Sequence, residues 1–136
     1  MAFETIEVRR DGPVEYVTLN RPAVRNAWNE QLSAEMTAWA EATGRLGEVR
    51  CVVFGGAGKV FSAGADVAWM AKAQSYTHEE NVRDATAASR MFHAIDTLPC
   101  AVIGRVHGAA LGGGCGLAAV CDIVVAEDGE IGRAHV

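Results

Sequence analysis

Apolar positions along the chain change period several times, and each change marks an element. Residues 3–10 (FETIEVRR) and 14–20 (VEYVTLN) alternate apolar and polar around Asp11-Gly12. Period-two alternation on both sides of an Asp-Gly pair predicts a β-hairpin. Asn20-Arg21-Pro22 then breaks the second strand. After Asn29, a good N-cap residue, Leu32, Met36, Trp39 and Leu46 recur near one helical face, with Glu30, Glu35 and Glu41 off it. That spacing predicts a helix over about 30–46, stopped at Gly47.

Residues 49–54 (VRCVVF) are short, β-branched and nearly uncharged, which predicts a buried strand. A loop, Gly55-Gly56-Ala57-Gly58-Lys59, follows, and residues 60–66 lead into a helical Val67–Ala73. Tyr76-Thr77 open a longer helix over about 79–97, with Val82, Met91, Phe92, Ile95 and Leu98 on its buried side and Pro99 ending it. Ala101–Val106 and Ile123–Ala126 read as further buried strands, separated by a stretch with six glycines between Gly104 and Gly116 and a short helix. The tail from Glu127 to Val136 is polar and predicts no element. Strands alternating with helices put the chain in the α/β class, as one domain over 1–136.

Composition narrows the function classes. Half of the 136 residues are hydrophobic and 21% are charged, which fits a packed domain and not a disordered chain. Lys and Arg total 12 against 17 acids, so the net charge is −5, which argues against general nucleic-acid binding. Ten of the twelve cations are Arg, so a local phosphate contact is still open. The longest weakly polar stretch, residues 100–126, contains Arg105, His107, Asp122 and helix-breaking glycines, so no membrane span is expected. Residues 1–12 show no apolar core behind a basic patch, so no secretory signal is expected and the cytoplasm is the expected compartment. Four cysteines (51, 100, 115, 121) and four histidines (78, 93, 107, 135) are scattered, which predicts buried thiols in a reducing compartment and no metal site.

Two segments could carry chemistry. Ser62-Ala63-Gly64-Ala65-Asp66 is a turn of small residues between a strand and a helix, and Leu111-Gly112-Gly113-Gly114-Cys115-Gly116-Leu117 is a second. Small side chains let a ligand approach the main chain, and amides at a helix start lack intrahelical partners. Two such turns side by side would aim two N–H donors at one oxygen, an oxyanion hole. Neither turn is a dinucleotide fingerprint or a phosphate loop, and no G-x-S-x-G nucleophile turn occurs. The blander expectations are a core or surface role for His93, a positioning role for His107, a buried capping acid at Asp122, packing at Trp69-Met70, and either solvation or a phosphate contact for Arg25.

These residues together resemble the enoyl-CoA hydratase/isomerase (crotonase) family. The blocks are Leu19-Asn20-Arg21-Pro22, Arg25-Asn26-Ala27, residues 61–66 (FSAGAD), residues 106–114 (VHGAALGGG) and Cys121-Asp122. The run 65–70 (ADVAWM) with Gly116-Leu117 is most similar to a methylglutaconyl-CoA hydratase-like branch. The resemblance implies a crotonase-like spiral of β-β-α units, of which only the N-terminal portion is present. It implies an acyl-CoA thioester as substrate, with coenzyme A part of that substrate and no separate cofactor. By motif position the oxyanion donors would be the N–H groups of Ala65 and Gly113, with Val24, Arg25, Ala63, Gly64, Asp66 and Val67 along the CoA path. The family's two catalytic glutamates fall on Gly116 and on His135. Roughly the second half of the family's length, with its C-terminal helices, is not in the chain. The resemblance implies a homo-oligomer, trimer-based in the family, and exposure of the apolar faces of 101–126 where those helices would sit. Hydration of a 2-enoyl-CoA is the expected reaction; another enolate reaction of the family (isomerase or decarboxylase) or a non-catalytic CoA-ester-binding module are the alternatives.

Overall fold

A computed structural model describes residues 2–129 and the backbone of 131–133. A hairpin opens the chain, with β1 (Ile6–Asp11) antiparallel to β2 (Val14–Leu19) and Asp11 paired to Val14 across a two-residue link. A single 3-10 turn (Pro22–Val24) leads to α1 (Glu30–Leu46). The Asn29 side chain accepts from the Leu32 N–H and Gly47 ends α1 in the left-handed region, as the sequence predicts. Then come β3 (Cys51–Gly56), α2 (Val67–Ala73), α3 (His78–Asp96), β4 (Ala101–Val106), β5 (Ala109–Leu111), α4 (Gly113–Ala119), β6 (Ile123–Ala126) and β7 (Ile131–Arg133).

Five strands form one sheet in the order β1-β2-β3-β4-β6, parallel from β2 onward, and β5 pairs with β7 in a second, two-stranded parallel sheet. Strand–strand–helix is thus the recurring unit, first as β1-β2-α1 and again as β4-β5-α4. Leu32, Met36 and Trp39 of α1 bury against Val17, Leu19, Val52 and Phe54 of the sheet, and Met91 and Ile95 bring α3 onto the same core. Glu15 also faces inward. Its carboxylate accepts from the Trp39 indole N–H (2.6 Å), the Thr43 hydroxyl (2.9 Å) and Arg10 (3.0 Å), so a buried acid has its partners.

Several expectations fail for physical reasons. Leu46, the last residue of α1, is 61% exposed and stands outside the core that Leu32, Met36 and Trp39 enter. Val82, expected on the buried side of α3, is 50% exposed; only the C-terminal half of that helix reaches the core. β6 was expected to be buried but is exposed throughout, with Ile123 at 56% and Val125 at 58%. It is an edge strand paired only to β4, and nothing among the described residues covers its faces. β3 runs two residues later than predicted, because Gly55 and Gly56 continue the ladder opposite Thr18 and Leu19. β5 and β7 interrupt segments expected to be loop and tail. Strands of three residues, Ala-Ala-Leu and Ile-Gly-Arg, are too short to show a period.

Candidate functional site

The two small-residue turns lie against each other. The Ser62 N–H donates to Ala109 O (3.2 Å) and the Leu111 N–H donates to Ser62 O (3.0 Å), a parallel bridge between the first turn and β5. Gly64 is at φ 91, and a Cβ there would sit 2.5 Å from Leu111 O and 3.1 Å from the Gly113 nitrogen. Only glycine permits that approach. Gly113 opens α4 with its Cα face against Trp28; a Cβ would lie 2.4 Å from the indole nitrogen.

A third segment locks the pair. The Asn26 side chain is fully buried, donating to Ala57 O (2.7 Å) and Val60 O (3.0 Å) and accepting from the Arg21 N–H (2.9 Å). Ser62, equally buried, donates its hydroxyl to Asn26 O (2.9 Å) and accepts from the Gly64 N–H (3.1 Å). On the main chain, Trp28 N–H donates to Gly64 O and Asp66 N–H donates to Trp28 O, so both neighbours of Ala65 are tied down. Ala65 N–H itself, and Gly113 N–H, have no hydrogen-bond partner among the described residues.

A cavity of about 700 Å³ opens at this junction. Val24, Arg25, Ala63, Ala65, Asp66, Val67 and Gly113 line it, all predicted for the site, together with Ala27, Ala68, Met70, Leu111 and Gly112. Gly64 is brought to the same place but is buried behind the wall and does not line the cavity, so its part is spacing and not contact. Val67 is 79% exposed and Val24 and Met70 stand open at the rim. Arg25 is exposed at φ 55, and its guanidinium has no partner among the described residues; its carbonyl accepts from the Ala63 N–H (2.9 Å).

Asp66 does more than face the cavity. One oxygen accepts from the N–H groups of Ala68 (2.8 Å) and Trp69 (3.2 Å), capping α2, and the other pairs with Arg21 at 3.0 Å. Arg21 also donates to Ala27 O. Burial works to raise the Asp66 carboxyl, but the Arg21 hydrogen bond and charge and the two backbone donors outweigh it and hold it below the ordinary value. Asp66 is therefore a structural cap and tie as well as a wall. Arg21, Asn26 and Ser62 stand within the motif blocks, and their roles as ties come from the folded chain. A polar residue inside a small-residue motif is the signal that was available.

Elsewhere, His93 is on the surface and His107 Nε2 meets Gly58 O at 2.7 Å. Asp122, expected to be buried, is exposed, because β6 leaves that edge open; it still accepts from the Val102 N–H at 2.7 Å. Trp69 packs on Trp28 with ring centroids 5.5 Å apart, whereas Met70 is 56% exposed. At Gly116 a Cβ would meet the end of the Phe92 ring at 3.2 Å. His135 lies outside the described residues. Burial, and then the charge of Asp122, push the Cys121 thiol up to about 12. Among the described residues no helix is long and apolar enough to cross a membrane, and no group of His, Cys, Asp and Glu is placed to hold a metal ion.

A family model described as enoyl-CoA hydratase/isomerase matches residues 9–132. The chain belongs to the enoyl-CoA hydratase/isomerase family. Among curated relatives, the short-chain-enoyl-CoA hydratase of Clostridium acetobutylicum is 35% identical over 127 residues, which are 93% of this chain and 48% of that protein. The human mitochondrial Delta(3,5)-Delta(2,4)-dienoyl-CoA isomerase is 38% identical over 118 residues, 81% of this chain and 36% of that one. The crystal structure of an enoyl-CoA hydratase from Shewanella pealeana superposes with a TM-score of 0.88 at 33% identity, covering 91% of this chain and 47% of that one. The chain spans about half the length of the curated hydratases it matches. The crotonase-type fold of this family is thus the fold of the residues described above.

Proposed function

We propose that the chain binds an acyl-CoA thioester in the cavity and holds its carbonyl oxygen between the N–H groups of Ala65 and Gly113, so that charge developing on that oxygen as an enolate is stabilised. Two donors without internal partners, on turns stitched together at Ser62 and Leu111, are the observation that carries this proposal. Each such donor is worth roughly 3–4 kcal/mol in the transition state. The apolar rim of Val24, Val67 and Met70 suits the pantetheine arm, and Arg25 suits a phosphate of the nucleotide. Coenzyme A would arrive with the substrate, with no separate cofactor.

The reaction proposed is addition of water across a 2-enoyl-CoA, on the strength of relatives named as hydratases. Gly116 supplies no acid or base, so that proton chemistry must come from another group. Gly116 is no objection to a second reading, a double-bond shift through the same enolate with its proton transfers made by groups at other positions, and a named isomerase stands among the relatives. The finer branch, methylglutaconyl-CoA hydratase-like, rests on the run 65–70 and on Gly116-Leu117. Exposed β6 supports covering by further polypeptide in a homo-oligomer, and four cysteines that form no disulfide among the described residues support a reducing setting such as the cytoplasm.

Loss of the enoyl absorbance of crotonyl-CoA in the presence of the chain tests hydration. An amide-to-ester exchange at residue 113, which removes the N–H without adding an atom, should then reduce the rate by about 10²–10³-fold. A Pro at 113 is a poorer test, because its ring would collide with Trp28. An unchanged rate in the ester would refute the donor assignment.

A further inference from the structure

Trp28 reaches both turns of the site, by different means. Its main chain borders the first turn: the Trp28 N–H donates to Gly64 O (2.8 Å), the Asp66 N–H donates to Trp28 O (2.9 Å), and Trp28 forms a parallel bridge with Ala65 between them. Its side chain borders the second: a Cβ on Gly113 would stand 2.4 Å from Nε1 and 2.8 Å from Cε2 and Cζ2, so the indole closes directly on that glycine. The ring itself is buried and does not line the cavity. Packing, not hydrogen bonding, puts it there. Its Nε1 is buried with no hydrogen-bond partner among the described residues, so no acceptor draws the ring to its place. Trp69 of α2, tilted at 5.5 Å, and Phe92 of α3, edge-on at 6.2 Å, back it. Trp69 is fixed to α3 in turn, its indole N–H donating to Asp84 at 3.2 Å.

We propose that Trp28 is a positioning residue: its main chain holds the Ala65 N–H, its indole holds the Gly113 N–H, and the two together set the separation of the donors that receive the thioester oxygen. The inference rests on the acyl-CoA site proposed above. Trp28 touches no substrate and acts through Ala65 and Gly113. Gly113 follows Gly112, at φ 52 and ψ −120, and neither has a side chain to fix the peptide between them. The indole supplies that constraint from outside the turn, and a close-packed interior passes it on. Hydrogen bonds weaken steeply as they lengthen or bend, so a Gly113 released from the ring loses its grip while Ala65 keeps its own.

Replacing the indole separates the two halves of the role, because the main-chain bonds of residue 28 do not depend on its side chain. Trp28→Phe keeps a ring against Trp69 and Phe92 but withdraws indole atoms from Gly113. The probes are butyryl-CoA and, as the reference without a carbonyl, free CoA. In ¹⁵N–¹H spectra with saturating butyryl-CoA, the Ala65 proton of Trp28→Phe should shift as in the parent, whereas the Gly113 proton should keep less than about half of its parent shift. By calorimetry the affinity for butyryl-CoA should fall about threefold to tenfold, the loss of one hydrogen bond, and that for free CoA by less than about twofold. Equal responses of both amides in parent and variant would overturn the role of Trp28. So would loss of both responses, since a merely structural role removes them alike. In the parent chain a cross-relaxation peak should join the Trp28 indole proton to the Gly113 α protons, and its absence would overturn the contact whether or not the variant folds. If neither amide of the parent responds to butyryl-CoA, the donor pair itself is wrong, and this inference falls with it.

Discussion

Replacing Gly64 by Ala probes the junction on which the site depends. Two costs add. The residue sits at φ 91, where a side chain strains the backbone by about 1–2 kcal/mol. Its Cβ would lie 2.5 Å from Leu111 O, a backbone atom held by the bridge to Ser62, and 3.1 Å from the Gly113 nitrogen. Forcing a methyl into such a place costs about 1–3 kcal/mol more. The expected loss is therefore about 2–5 kcal/mol, a drop in Tm of about 10–20 °C for a chain of this length. Gly47→Ala is the matched reference: its φ is 65 but nothing lies within 4 Å of the added Cβ, so it isolates the backbone term. Thermal and urea melts followed by circular dichroism would measure both. A Gly64→Ala chain that melts with the Gly47→Ala chain, or within about 3 °C of the parent, would show that the two turns are not packed as described.

Three further outcomes are expected. Glu15→Ala leaves the Trp39 indole, the Thr43 hydroxyl and Arg10 without their acceptor, and should destabilise by about 3–5 kcal/mol in urea titration; a loss under 1 kcal/mol would contradict the buried network. The Asp66 carboxyl is held below its ordinary 3.8, so its stabilising effect is complete above that value and is lost as pH falls through the lowered one. Arg21→Met should accordingly flatten the acid limb of a Tm-against-pH curve, and an unaltered limb would deny the tie. Cys121, with its thiol pushed up to about 12, should resist iodoacetamide at pH 8 until the chain unfolds; mass spectrometry of the native labelled protein would reveal early reaction if burial there is overstated.

The elements legible in the sequence are those whose signal is local. Asp11-Gly12, the Asn29 cap and the Gly47 stop act through their own neighbours, and the hairpin and α1 follow from them. The burial of β6 was not legible, since an apolar run is the same whether or not something covers it. The two motif turns were legible as candidates because small residues between strand and helix let a ligand approach the main chain, although glycines there also serve close packing. That they meet, through Ser62 and Leu111, depends on residues 49 apart in the chain, and no spacing rule reports it. The same holds for Arg21 with Asp66 and for Trp28 with Gly113, where a long side chain reaches across from another loop.

The central claim is that two main-chain donors meet one thioester oxygen, and amide proton shifts read it directly. At 14.4 kDa the chain is small enough for a ¹⁵N–¹H titration of every backbone amide. With a saturating, non-reacting acyl-CoA, the Ala65 and Gly113 protons should both move downfield together, while free CoA moves neither. If those two signals stay in place, or if just one responds to the acyl group, the paired-donor account is wrong.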